Sequence, residues 1–138
     1  MLGPPPSWET SRPFQKAVQS QPGSQALEQA RIDYLLERVS KSPYNFIRNG
    51  QRYSGKRAWA HLKWKYFLNV GRVKTAEEFI ERVATYSKMS GEPYVVQLPD
   101  RSRRPLHLLL VNELRLFDEK VEVERKLRAQ TAEEAHPS

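Results

Sequence analysis

Asn49-Gly50 constrains this chain more tightly than any other pair of residues. A two-residue type I′ turn needs positive φ at both central positions, which Asn and Gly tolerate and most residues resist. Flanked by Asn45-Phe46-Ile47-Arg48 and Gln51-Arg52-Tyr53, the turn predicts a hairpin pairing Arg48 with Gln51 and Phe46 with Tyr53. Side chains alternate along strands, so Phe46, Arg48, Gln51 and Tyr53 share one face, with Ile47 and Arg52 on the other.

Helical signals bracket the hairpin. Ser24 is placed to cap a first helix reaching about Lys41, in which Ile32, Leu35, Leu36 and Val39 keep helical spacing; Pro43 forbids its continuation. Ser54 caps a second helix, about Gly55–Asn69, with Ala58, Trp59, Leu62 and Tyr66 facing inward. Thr75-Ala-Glu-Glu78 is a capping box for a third, which carries Ala76, Phe79, Ile80 and Val83. Gly91 is expected as the left-handed residue ending that helix, and Pro93 as the block to re-entry. Tyr94–Leu98 reads as a short strand and Pro99–Arg104 as a polar turn. Pro105 is the expected first residue of a last helix that projects into solvent after Asp118 and frays by Gln130. The predicted fold is α+β: one small domain over residues 24–117, a hairpin plus a third short strand covered by about four helices. Residues 1–23 hold five of the ten prolines and are expected to be a disordered leader, dispensable for folding. Residues 118–138 are expected to form a charged helical extension and frayed tail.

Charge is laid down unevenly. Between Arg38 and Ala76 there is no Asp or Glu, against ten basic residues interleaved with Tyr44, Tyr53, Trp59, Trp64 and Tyr66. Residues 31–117 carry 17 basic and 8 acidic side chains. Such a distribution sets up a local positive field that favours an anionic partner. The face formed by the hairpin and second helix, with Arg48, Arg52, Arg57, His61, Lys63 and Lys65, is the expected binding surface for a protein, a lipid headgroup or an envelope polymer. A second reading, from a different class, is nucleic-acid binding, for which Lys63-Trp64-Lys65 with Arg57 and Trp59 offers cations and stacking surfaces. A third is a hydrolase centred on His61 and Ser87, which requires an acid behind the histidine. The plainer account of His61 is a helix-surface histidine bonded to its neighbours.

Other chemistry finds no support. Without cysteine there are no disulfides, thiol nucleophiles or thiolate metal sites. His61, His107 and His136 are scattered, so no metal site is expected. No glycine-rich phosphate loop is present, and no cofactor is expected. The longest apolar runs fall far short of the ~20 residues of a membrane span. Met1–Gln15 contains three consecutive prolines and no apolar core of a signal peptide, so the chain as written is expected to be soluble and to start in the cytoplasm.

Several spaced strings resemble a known family. They are Phe46-Ile-Arg-Asn-Gly50 with Tyr53, Ala58-x-x-His61-Leu62-x-x-Lys65, Arg72-Val-x-Thr75-Ala-Glu-x-Phe79-Ile80, Val83-Ala84, Ser87, and Ser90-Gly-x-Pro-Tyr94. In this order they resemble the YfeK-like family of small bacterial proteins of unknown function, over roughly residues 31–117. The resemblance points to no particular reaction, since no catalytic activity is established for that family. It implies a periplasmic or envelope location, since such proteins commonly carry a secretion signal, and this stands against the cytoplasmic reading of the N-terminus.

Overall fold

The computed structural model describes residues 1–135, and its elements follow from local signals already visible in the chain. Helix α1 (Arg12–Gln19) is capped by the Ser11 side chain, which accepts from Phe14 N. Helix α2 (Gln25–Lys41) is capped in the same way by Ser24, and α3 (Gly55–Leu68) by Ser54. Between them lie β1 (Asn45–Arg48) and β2 (Gln51–Tyr53), paired Phe46 to Tyr53 and Arg48 to Gln51. Asn49 and Gly50 adopt φ of 52° and 77°, the left-handed pair a type I′ turn requires. Helix α4 (Ala76–Arg82) is followed by β3 (Val95–Gln97), β4 (Arg103–Pro105) and the long α5 (Leu106–Ala135).

The sheet is antiparallel throughout, in the order β2-β1-β3-β4. The fold is thus α+β, with five helices and one more strand than expected: Arg103–Pro105 extends the polar turn into a second hairpin with β3. The helices pack around α2, which meets α1, α3, α4 and α5. Gly55 lets α3 start hard against the end of α2, because a Cβ there would lie 2.5 Å from Val39 O and 2.6 Å from Ser42 O. On the other side, Arg31 of α2 bonds Glu77 of α4 and Asp118 of α5.

Several expectations are corrected. The proline-rich leader is not disordered. Leu2, Phe14, Ala17 and Val18 are buried in the core, and Trp8 stacks on Tyr34, which stacks on Phe117. Pro13 sits in the first turn of α1, where a missing N–H costs nothing, so proline there starts the helix rather than preventing it. The extension beyond Asp118 does not leave the domain: Val121 is buried, and Arg125 donates to Ala17 O and Ser20 O at the end of α1. It is helical through Ala135, past the fraying expected at Gln130. Helix α4 ends at Arg82, well before Gly91. Instead of continuing the helix, the chain turns over Ser87–Gly91 and pairs Tyr86 with Pro93, with Ser87 N on Glu92 O and Tyr94 N on Thr85 O. Gly91 keeps its positive φ of 71°, but inside that turn. Pro105 closes β4 instead of opening α5. In the capping box, Thr75 Oγ1 accepts from Glu78 N as expected, while the Glu78 carboxylate reaches Lys74 N, one residue earlier.

Beneath the leader lies a buried ion pair. Arg38 Nε donates to Glu113 Oε2 at 2.9 Å, Glu113 Oε1 accepts Leu2 N at 2.8 Å, and Arg38 donates to Pro4 O and Gly3 O. Removing one partner leaves an uncompensated buried charge, so Glu113→Ala should cost ~3–5 kcal/mol in urea unfolding. Deleting residues 1–23 uncovers the same pair and should lower the melting temperature by many degrees. An unchanged melting temperature on deletion would return the leader to its sequence-based reading.

Candidate functional site

Strand alternation and helix periodicity bring three of the expected basic-face residues to one cleft. Arg48 and Tyr53 project from the hairpin toward α3, and Arg57, Ala58, His61 and Leu62 answer from the helix. Together with Phe46, Ile47, Tyr94 and Leu106 they line a cavity of about 220 Å³. Its walls are largely apolar and its polar groups gather at one side. Arg48 and Arg57 both lie over the Tyr53 ring, their guanidinium carbons 5.5 and 5.3 Å from its centroid, and Tyr53 is steadied by its hydroxyl on Gln51. A smaller cavity of about 170 Å³ lies behind the same cluster, between Arg48, His61, Lys65, Ser87 and Tyr94.

The hydrogen-bond chain is short. Arg48 Nη1 lies 2.8 Å from the His61 ring nitrogens and can only donate. His61 Nε2 lies 3.1 Å from Tyr94 Oη, and Lys65 Nζ donates to Tyr94 Oη at 3.2 Å and to Tyr86 O at 2.6 Å. The proton position on the His61 ring decides whether Nε2 donates to Tyr94 Oη or accepts from it. No carboxylate takes part. Arg48 Nε is buried and has no partner among the described residues.

Electrostatics follow from this crowding. Burial, then the Arg48 and Lys65 charges, hold the His61 imidazole below its ordinary value and therefore neutral. Burial, with Lys88 and Arg48 nearby, lowers the Lys65 ammonium to about 8. Burial raises the Tyr94 phenol, so it stays a donor. For His61 and Lys65 burial and neighbouring cations act together, whereas on Tyr94 burial outweighs the Arg48 charge, which pulls the other way.

The other expected residues are placed apart. Arg52 is exposed on the opposite face of the hairpin, paired to Ile47. Lys63 is exposed, its Nζ 4.9 Å from the Trp59 ring centroid. Lys65, expected on an exposed face, is only 6% accessible, because its stem runs inward beside Leu62 to reach Tyr94. Ser87 is buried, and His61's partners are Arg48 and Tyr94, neither Ser87 nor an acid. Asn49 at the hairpin tip is bonded to Ser90, which fixes the turn over Tyr94. Among the described residues no three His, Cys, Asp or Glu gather at metal-binding range; His136 lies outside them. Tyr94 is the residue that sequence reasoning did not assign to the site. Its signal was there in the Ser90-Gly-x-Pro-Tyr94 string, where it reads as one more β-former.

Comparison with known proteins places the site within a family. A family model described as a family of unknown function, DUF5329, matches residues 26–118 and so spans the cleft. The chain is 39% identical over 70 residues to the uncharacterized protein YfeK of Salmonella typhimurium strain LT2. That match covers 50% of this chain and 58% of the relative's length. No solved structure matches.

The Lys65 shift fixes a pH dependence. A lysine whose folded pKa is depressed to about 8 binds fewer protons folded than unfolded between that value and 10.5. Stability should therefore rise with pH across the lower part of that window, below the range where Tyr94 begins to act in the opposite sense. Chemical denaturation of the parent and of Lys65→Met should show that slope in the first and its loss in the second.

Proposed function

Since the chain belongs to the family of unknown function DUF5329, we propose from the cleft's chemistry that the domain is a non-enzymatic binding module for an anionic group, seated between Arg48, Arg57 and Tyr94. The observation that carries this reading is the buried Arg48 Nε–H with no partner among the described residues, beside a cluster that contains no carboxylate. An unmade buried hydrogen bond costs about 1–3 kcal/mol, more for a charged group, and an incoming oxyanion supplies the missing acceptor once Arg48 turns its Nε–H into the cleft. Arg57 and the Tyr94 hydroxyl lie on the same cleft and offer further polar contacts. The apolar remainder, Phe46, Ile47, Ala58, Leu62 and Leu106, favours an anion carried on an apolar body over a bare inorganic ion.

The hydrolase reading lacks its central contact. His61 is held by a cation and a phenol, so no acid orients it as a base and Ser87 is not bonded to it. The nucleic-acid reading draws on Trp64 rather than on this cleft, and it is separable by experiment.

Titration with octyl phosphate, followed by NMR of the His61 imidazole, should raise its pKa, because a bound anion offsets the Arg48 and Lys65 charges. Octanol of the same chain length should leave it where it is. Arg48→Gln should weaken octyl phosphate binding at least tenfold, roughly the worth of one charge-assisted hydrogen bond, with the fold retained by circular dichroism. Equal affinity for octanol and octyl phosphate would remove the anion from the proposal.

A further inference from the structure

One face of α3 lies outside the main cleft, with Arg57 at its edge. Lys56, Arg57, Ala60, Lys63, Trp64, Phe67 and Leu68 recur at helical spacing, and every one is exposed. The basic residues occupy the first half of this face and the apolar ones the second. Trp64 and Phe67 are 61% and 67% accessible and stack on each other, with centroids 6.0 Å apart. Leu68, Val70 of the following turn, and Met89 across the gap continue the apolar end, and Lys88 stands beside Met89. A protein surface rarely leaves such an apolar group uncovered without a use for it.

We infer that this face docks the domain on an anionic lipid surface, with Trp64, Phe67, Leu68, Val70 and Met89 entering the headgroup–acyl boundary and Lys56, Lys63 and Lys88 contacting the headgroups. The composition is that of an interfacial helix: aromatic and aliphatic side chains on one part of a face, lysines beside them. Charge complementarity selects the lipid, because α3 and the turn after it contain no acid at all. Nucleic acid fits less well. Trp64 and Phe67 already cover one ring face each, and Leu68, Val70 and Met89 offer nothing for a base to stack on. The apolar side chains cluster at a helix end, with Trp64, Leu68 and Met89 on the rim of the smaller cavity and Phe67 and Val70 exposed beside it. No helix among the described residues is long and apolar enough to cross a membrane, so the inference concerns attachment at the surface.

The test uses the full chain with large unilamellar vesicles of phosphatidylcholine, with and without roughly one-third phosphatidylglycerol. Co-sedimentation should be at least tenfold stronger with the anionic vesicles and fall as salt is raised. W64S/F67S should reduce it at least tenfold, and K56Q/K63Q by roughly fivefold per charge removed. Arg48→Gln, which disables the cleft, should leave vesicle binding unchanged, so the two proposals fail separately. Should W64S/F67S lose its fold by circular dichroism, brominated acyl chains give the answer in the folded parent. They should quench tryptophan fluorescence there, and Trp64→Phe should bind equally while losing that quenching. Absence of binding to anionic vesicles, undiminished binding by a folded W64S/F67S, or bound parent without quenching would each overturn the inference. Binding of a single-stranded oligonucleotide that depends on Trp64, with no vesicle binding, would assign the face to nucleic acid.

Discussion

The arrangement depends on one buried ion pair. Arg38 in α2 and Glu113 in α5 meet where both are nearly inaccessible, 5% and 0% by side chain. Desolvating two charges is expensive, and Coulomb attraction repays it only when the remaining donors and acceptors are also satisfied. Here the leader completes the set: Leu2 N serves Glu113, while Gly3 O and Pro4 O serve Arg38. Apolar residues of similar volume would fill the same space, but they would not tell the N-terminal strand of chain where to lie. The pair thus fixes the register of α2 against α5 and the path of the leader together. The aromatic stack of Trp8, Tyr34, Phe117 and Phe14 then closes around it.

How far the fold was legible follows from the range of each signal. The hairpin and the caps of α2 and α3 are decided within a few residues, by turn geometry and by Ser hydroxyls, and the structure has them in the expected register. The leader depends on partners 26 to 111 residues away, and proline content alone hid it. A local signal existed all the same: Ser11 before Pro13, then Phe14, Ala17 and Val18 on one face. The end of α4 was misplaced because Gly91 is a good helix terminator, yet the backbone from Thr85 to Glu92 bonds to itself across a turn. Strand β4 is three residues of Arg-Arg-Pro, which no strand propensity favours; pairing to β3 overrides it.

The site was legible in part for the same reason. Periodicity of two and of 3.6 residues put Arg48, Arg57, His61 and Lys65 on facing surfaces before any coordinates. It could not say that Lys65 turns inward, because helical phase puts residue 65 near the boundary of the buried stripe and a lysine stem can follow either side. Nor could it supply Tyr94, whose place depends on the turn over Ser87–Gly91 and on the Ser90–Asn49 contact at the hairpin tip.

The acid-free window gains its meaning from where the acids went. Glu37 serves Lys41, Glu77 serves Arg31, and Glu113 serves Arg38, all on helices flanking the window. Among the described residues, no basic side chain from Arg48 to Lys74 has a carboxylate at ion-pairing distance. Uncompensated cations inside a cleft depress each other's protonation, as Lys65 and His61 show, whereas the same charges in solvent are screened within ~8–10 Å. Helix α3 therefore carries one composition in two electrostatic regimes. On the proposed reading, its inward face would offer a single oxyanion short-range, directional hydrogen bonds. On the inferred docking, its outward face would meet charge spread over many headgroups, where the number of lysines counts. The two faces meet at Arg57 on the edge of the cleft and at Trp64 and Leu68 beside the smaller cavity.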